Sequence, residues 1–304
     1  MSATIFVTGS SGCIGHYVVE RFLNDARYQL VLLMRDPTKL KFDPAKFSNV
    51  SLVAGDLEHI EVHQKILAKT DILIHIATAW GDSDLSTQVN KDKTLEMLGY
   101  CSDRLQKVIY FSTASILGAD NHPIPEAESL GTGYIRSKYR TYAALKSSPC
   151  AAKLITIFPT MVFGGDAHHP YSHISAGIGD NSKWLRYLKY VYFDARFHFL
   201  HAYDIAGVVA YAVTQLSGPQ DLVVGNPVMT AKQVIADLCG HYGVKIGLRL
   251  KIAPWFILGL IKLFRIKIAP WDRFCIQHPF FEYNVVSPAT FGLKTKYPTL
   301  RDVL

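Results

Sequence analysis

The chain has 304 residues, 49% hydrophobic and 19% charged, the balance of an ordinary folded protein with one large core or two modest ones rather than a disordered or fibrous one. Its net charge of +7 comes without a DNA-binding motif or a basic stripe interleaved with aromatics, so no nucleic-acid partner is expected; an anionic cofactor or a membrane face accounts for the sign. Five scattered cysteines (Cys13, Cys101, Cys150, Cys239, Cys275) with no Cys-x-x-Cys pair argue against a disulfide framework or a metal cluster, and the longest apolar run, Ala253 to Ile261, is far shorter than the ~20 residues of a spanning helix.

The first strand, near residues 4–8, lies so close to Met1 that no secretory leader is expected, and the chain reads as cytoplasmic. It runs straight into Thr8-Gly9-Ser10-Ser11-Gly12-Cys13-Ile14-Gly15 and a helix over about 13–25. Glycines between a strand and a helix let the backbone turn tightly and approach a pyrophosphate, whose charge is favoured at the helix N-terminus. Further strands are expected near 29–34, 50–54, 71–76, 107–112 and 152–157, with helices near 59–69, 85–102 and 132–147. The strands are continuous apolar runs, as a parallel sheet covered on both faces requires. Right-handed crossovers then give an α/β class, doubly wound parallel-sheet Rossmann fold whose ligand lies at the carboxyl ends of the strands.

After Phe158 the pattern becomes irregular. Residues 159–197 carry glycines, histidines and prolines, then an aromatic-rich basic stretch from Trp184 to Phe197. Residues 198–224 return to the earlier style, with a short strand, a helix from Asp204 and then Val223-Val224. The expected organisation is a cofactor domain of residues 1–158 and 198–224, interleaved with a smaller, discontinuous substrate lobe of residues 159–197 and 225–304.

Tyr134 and Lys138 are four apart on an expected helix, so they face the same side, and Ser112-Thr113 close an apolar strand before them. Taken singly, Tyr134 would pass for a half-buried helix aromatic and Lys138 for a solvated charge. Together with the glycine turn they make the chain resemble the extended short-chain dehydrogenase/reductases, the NAD(P)-dependent epimerase/dehydratase-like family, nearest its ketone reductase and hydroxysteroid dehydrogenase-type branch. The resemblance rests on Thr8, Gly9, Gly12 and Gly15, on Gly55-Asp56-Leu57, His75-Ile76-Ala77, Asn90 and Phe111-Ser112-Thr113, on Tyr134 with Lys138, on Pro159 with Phe163-Gly164, and on Phe199 to Ala206. It covers about the first two-thirds of the chain in constant order.

The resemblance implies nicotinamide redox chemistry. Thr8, Gly9, Ser11, Gly12, Cys13, Ile14 and Gly15 would form the cofactor turn. Asp56 would bond the adenine amino group, although an Asp there would equally cap a helix. Ala77 and Thr78 would pass beneath the ribose and nicotinamide, and Leu57 and Pro159 complete the cofactor set. The cofactor type is decided at Met34-Arg35-Asp36: Arg35, with Lys39, would grip the phosphate of NADP(H), whereas a shift of one residue would put Asp36 on the ribose of NAD(H). NADP(H) is the favoured reading.

In the catalytic group the resemblance implies, Tyr134 is the acid/base, Lys138 its tuner and ribose holder, and Thr113 the orienter of the substrate oxygen, with Ser112 and Ser115 behind it. A phenol has an unperturbed pKa of ~10, and a neighbouring ammonium should lower it. Asn90 is either a support for these bonds or a satisfied core amide. Ala114 and Ser115 stand where the family's dehydratases carry Asp and Glu, and Phe158-Pro159 replaces Arg-Pro. Both departures point away from sugar nucleotides.

The expected function is therefore an NADP-dependent oxidoreductase moving a hydride between nicotinamide and the carbonyl or alcohol of a mostly apolar small molecule. Two alternatives stay open: an NAD-retaining epimerase with the same triad, and a non-catalytic cofactor-binding scaffold or redox sensor. His168, His169 and His173 are expected at the entrance or in solvent rather than on a metal. Residues 254–268, apolar with trailing Lys262, Arg265 and Lys267, read first as a helix roofing the pocket and second as a peripheral membrane contact. The family's habit of pairing two helices, one carrying the Tyr, leaves a homodimer open.

Overall fold

The computed structural model describes residues 2–79, 88–181 and 185–304. Seven parallel strands form one sheet: β1 (Ala3–Thr8), β2 (Tyr28–Met34), β3 (Val50–Ala54), β4 (Ile72–His75), β5 (Lys107–Phe111), β6 (Leu154–Pro159) and β7 (Gln220–Val224). Their order is β7-β6-β5-β4-β1-β2-β3. Two interior strands, β4 and β6, are buried along their whole lengths, which explains why their sequences show no polar alternation.

Successive side chains of each strand feed two cores. Ile5 and Val7 of β1 join Leu30, Leu32, Ile74 and Ile155 under the helices Cys13–Glu20 and Ala202–Gln215. Phe6, between them, points the other way, to Leu73, Val108, Leu67 and Met97. Each such side chain, fully removed from water, contributes about 1.5–3 kcal/mol, so this two-faced sheet is the main stabilising body of the molecule.

The helices are shorter than the periodicity predicts. The first ends at Glu20, and residues 59–69 form a 3-10 turn, Ile60–His63, and a single α turn, Gln64–Leu67. Of the helix expected over 85–102, residues 85–87 lie outside the described residues; the rest is a π turn, Gln88–Asp92, followed by Lys93–Gly99. The π turn coincides with Asn90, whose carbonyl accepts bonds from the Thr94 and Thr141 hydroxyls at 2.9 Å each. Trp184, the start of the expected basic stretch, also lies outside the described residues.

Apart from β7, the strands described beyond β6 form only two-stranded pairs. Three short ribbons pair Met161–Phe163 with Phe199–His201, Arg196–Phe197 with Met229–Thr230, and Val191–Tyr192 with Leu250–Lys251. The helix expected from Asp204 begins at Ala202, because the His201 ring caps it by accepting from Tyr203 N at 3.1 Å. Asp204 instead accepts the amides of Lys296 and Tyr297 at 2.8 and 2.9 Å, binding the C-terminal region to this helix.

The strand order reverses between β1 and β4, and the crevice for a ligand opens at their carboxyl ends. There Gly9 adopts φ +77°, and a Cβ on it would sit 2.6 Å from Ala77 N. A Cβ on Gly15 would overlap the carbonyl oxygen of Gly9. Gly15→Ala therefore gains about 1 kcal/mol of helix propensity but drives a methyl into backbone that cannot rotate away, a cost of about 1–3 kcal/mol or more. We expect a lowered thermal midpoint and lost dinucleotide binding; an unchanged midpoint with intact binding would show that the turn yields.

Candidate active site

The carboxyl ends of β1, β2, β4, β5 and β6 open on a cavity of about 1070 Å³. Of the residues singled out from sequence, Thr8, Gly9, Ser11, Gly12, Cys13, Ile14, Gly15, Arg35, Asp56, Leu57, Ala77, Thr78, Thr113, Tyr134, Lys138 and Pro159 all line it. Lys39 does not: the Asp36 carboxylate caps the turn Pro37–Lys39, accepting from Thr38 N at 3.0 Å and Thr38 Oγ1 at 2.6 Å, and carries Lys39 off the wall.

At the dinucleotide end, the helix Cys13–Glu20 starts at Gly12, which has no side chain to cap it, so its first-turn amides are offered to an anion. The space that Cβ atoms on Gly9 and Gly15 would fill is the cradle for a pyrophosphate. Arg35 has no ion pair or hydrogen bond among the described residues, and its side chain borders the cavity at the end of β2. Asp36 is committed to its cap, whose bonds hold its carboxyl below the usual range. Asp56 lines the wall and also accepts from His59 N at 3.1 Å, so capping and a cofactor contact are both open to its two oxygens. Burial pushes the Cys13 thiol up to about 12, which makes it a packed wall group rather than a thiolate. The residues fit a nicotinamide dinucleotide.

At the other end, Thr113 follows β5 and caps the turn Ala114–Ile116, its hydroxyl donates to Ser115 Oγ at 3.2 Å, and it lies near enough to the Tyr134 phenol to pull its pKa down. Tyr134 opens the helix Gly133–Lys146, capped by Thr132. The Lys138 Nζ is buried, donates to Phe111 O at 2.7 Å, and lies 6.0 Å from the centre of the Tyr134 ring. Burial pushes the phenol up to about 12 against the lowering pull of Thr113, and pushes the lysine down to about 7. The lowering of Tyr134 by its neighbour, expected from the sequence, is corrected here: the amine is turned to a backbone carbonyl, and desolvation dominates both groups. Ser112 Oγ, beside them in the wall, is buried with no partner among the described residues.

A buried relay joins the two ends. The Ala77 amide donates to Thr8 Oγ1 at 3.2 Å, Thr8 Oγ1 meets His75 Nδ1 at 2.7 Å, His75 Nε2 meets Thr94 Oγ1 at 2.8 Å, and Thr94 donates to Asn90 O. Because Thr94 spends its proton on Asn90, His75 must donate through Nε2 and accept through Nδ1; burial, aided by Lys138, keeps it neutral with a pKa of about 3. The Asn90 side chain bonds Thr78 Oγ1, both backbone groups of Ala79, and Ser137 Oγ, itself tied to Tyr134 O at 2.8 Å. Asn90 is thus a satisfied core amide and a support at once. His75, quoted only as part of a pattern, is the residue whose role the sequence does not announce.

Two further expectations change. The helix Pro254–Leu263 is absent from the wall; the next one, Pro270–Gln277, lines it with Trp271, Cys275 and Ile276. His169 is neither at the entrance nor in solvent: its ring bonds Asp166 and Glu20 at 2.8 Å each and stacks on Tyr17 at 3.8 Å, clasping the loop after β6 to the first helix. His168 is exposed, and His173 lines the cavity.

A family profile described as NAD dependent epimerase/dehydratase family matches residues 5–225. Among solved structures, the chain resembles gox2253 with a TM-score of 0.73 and 21% identity, covering 100% of this chain and 96% of that one. It also resembles dTDP-glucose 4,6-dehydratase from Bacillus anthracis in complex with NAD, with a TM-score of 0.66 and 14% identity over 99% and 94% of the two chains. These are likenesses of fold. Over 157 residues, 48% of this chain, it is 22% identical to trichosetin synthetase PKS-NRPS1 of Gibberella fujikuroi, but spans 4% of that curated relative's length.

The buried lysine makes a stability prediction. Its folded pKa of about 7 lies below the ordinary ~10.4, so folding is opposed by Lys138 most strongly at and below neutrality, and this opposition fades as pH rises toward the ordinary value. Lys138→Met in the cofactor-free protein should melt at or above the wild type near neutral pH, with the gap closing at alkaline pH. A variant that melts well below the wild type at all pH values would show that the bond to Phe111 outweighs the buried charge.

Proposed function

The chain belongs to the NAD dependent epimerase/dehydratase family, a nicotinamide-dependent enzyme family, and within it we propose an NADP(H)-dependent reductase that converts the carbonyl of a mostly apolar small molecule to an alcohol. The observation that carries this reading is the make-up of the cavity beyond Tyr134. It is walled by Tyr171, Phe193, Phe197, Trp271, Phe281 and Tyr283, with Lys138 the only Asp, Glu, Lys or Arg side chain at that end among the described residues. Among the described residues a phosphorylated or carboxylated substrate would meet no Lys or Arg there besides Lys138, whereas an apolar one would bury its surface at about 25 cal/mol per Å².

When bound, the reduced nicotinamide supplies the hydride. Thr113 and Tyr134 converge on one point of the wall, where their hydroxyls would take the substrate oxygen between them. A phenol held neutral by burial is a donor, and its proton passes to that oxygen as the negative charge develops. Ser112 Oγ, with no partner among the described residues, supplies a further donor beside Thr113. Arg35, open at the end of β2 while Asp36 is engaged, supports the phosphate of NADP(H) over the ribose diol of NAD(H).

Denaturing the purified protein and identifying any released nicotinamide comes first, followed by titration with NADPH and NADH. We expect an empty site that prefers NADPH, and a loss of about tenfold or more in NADPH affinity for Arg35→Ala with NADH unchanged, the scale of a charge-assisted bond. Stoichiometric bound NAD would instead favour an epimerase that shows no net redox change.

Tyr134→Phe should lower turnover by about 10²–10⁴-fold while NADPH still binds. Reduction needs the protonated phenol, which persists up to a pKa of about 12, so its rate should not fall over about pH 6 to 9 through this group, while the reverse oxidation, which needs phenolate, should climb. A reduction rate that drops steeply in that range would remove Tyr134 as the proton donor.

A further inference from the structure

The helix Pro254–Leu263 has no buried residue, although seven of its residues from Trp255 to Ile261 are apolar or glycine on every side. Trp255 is 74% exposed and Leu263 72%, and Phe264 and Ile266 follow at 68% and 55%. A helix that is apolar all round belongs inside a core or in lipid, not in water. The exposed surface continues through the ribbon that precedes it, where Leu248 and Leu250 project beside Tyr190.

The same stretch has charge of one sign. Between Asp237 and Asp272 there is no Asp or Glu, and Lys245, Arg249, Lys251, Lys262, Arg265 and Lys267 all fall there. Lys251 pairs with Asp194 and Arg249 bonds Lys232 O; the other four have no ion pair among the described residues. We propose that residues 245–267 dock on the anionic headgroups of a membrane, with the helix lying in the plane of the surface. At about 15 Å it is half the length needed to cross the ~30 Å hydrocarbon layer. Its tryptophan and leucines enter the headgroup boundary, while Lys245, Lys262, Arg265 and Lys267 meet lipid phosphates. A second copy of this chain would bring the same cations against themselves with no carboxylate from the segment to answer them, so lipid is the better match.

Both borders of this surface run into the cavity wall. Phe193 follows the ribbon strand Val191–Tyr192, and Trp271 sits on the helix packed against Pro254–Leu263. Docking would therefore set the apolar end of the cavity toward the bilayer and give a lipid-like substrate a dry way in. That last step rests on the reductase reading; the docking itself does not.

The test is sedimentation of the full chain with extruded vesicles of phosphatidylcholine alone or with about one-third phosphatidylserine. The wild type should bind the anionic vesicles, release in high salt and ignore the neutral ones. Trp255→Ala with Phe264→Ala, and separately Lys262→Glu with Lys267→Glu, should each weaken binding roughly tenfold or more. All four side chains are exposed, so circular dichroism and the thermal midpoint should stay as in the wild type. Failure of the wild type to bind anionic vesicles, equal binding by both variants, or a wild-type dimer that Trp255→Ala with Phe264→Ala dissociates would overturn the proposal. Binding with no detectable reductase activity would sustain docking and count against the reductase alone.

Discussion

One line of hydrogen bonds under the floor of the crevice holds the rest of the site in place. It runs from the Ala77 amide through Thr8, His75 and Thr94 to the Asn90 carbonyl, every donor pointing the same way. The strand order reverses at β1 and β4, which pair with each other up to Thr8 and His75, and the loops leaving those two strands diverge beyond that pairing. The relay holds them from beneath, and Asn90 passes the constraint on to Ala79 and to Ser137 on the Tyr134 helix. A paired buried network adds little net stability over water, yet any member left unpaired is costly, so the arrangement is selected by the penalty for every other one. His75 can serve only while neutral, and complete burial keeps it so.

Above that floor, desolvation sets the chemistry. The same dry wall raises Tyr134 and lowers Lys138, so both are biased toward their uncharged forms. The phenol is thereby kept as a proton donor, whereas the lysine is shifted toward its neutral amine. The Lys138 bond to Phe111 O fixes the helix Gly133–Lys146 against the end of β5, so the lysine also positions the phenol relative to Thr113.

The sheet was legible because buried parallel strands must be apolar without a break, and the cofactor turn because only glycines tolerate the approach of Gly9 to Ala77 and of Gly15 to Gly9. Thr113, Tyr134 and Lys138 emerged as a set through the family resemblance, and the strand end and helix face that carry them do bring them to one wall. What could not be read depended on partners far away in sequence. The π turn at Asn90 answers to Thr141; Lys39 is turned aside by a cap formed at Asp36; His169 is claimed by Glu20, at the far end of the first helix. Apolarity alone also could not tell a pocket wall from an outer surface. The more apolar helix, Pro254–Leu263, stands outside, while its more polar neighbour contributes the buried Trp271.

The seventh strand has a consequence for how the molecule is made. β7 pairs with β6 only after the chain has travelled through residues 160–219, so during synthesis β6 waits as a bare edge with its backbone groups unpaired. Asp204 then secures residues 296 and 297 to the helix that precedes β7. Sheet and lobe are laced together by crossings in both directions, and neither half can be cut out at a linker. The chain should accordingly assemble and come apart as one cooperative unit, its first 158 residues being a sticky intermediate rather than an independent domain.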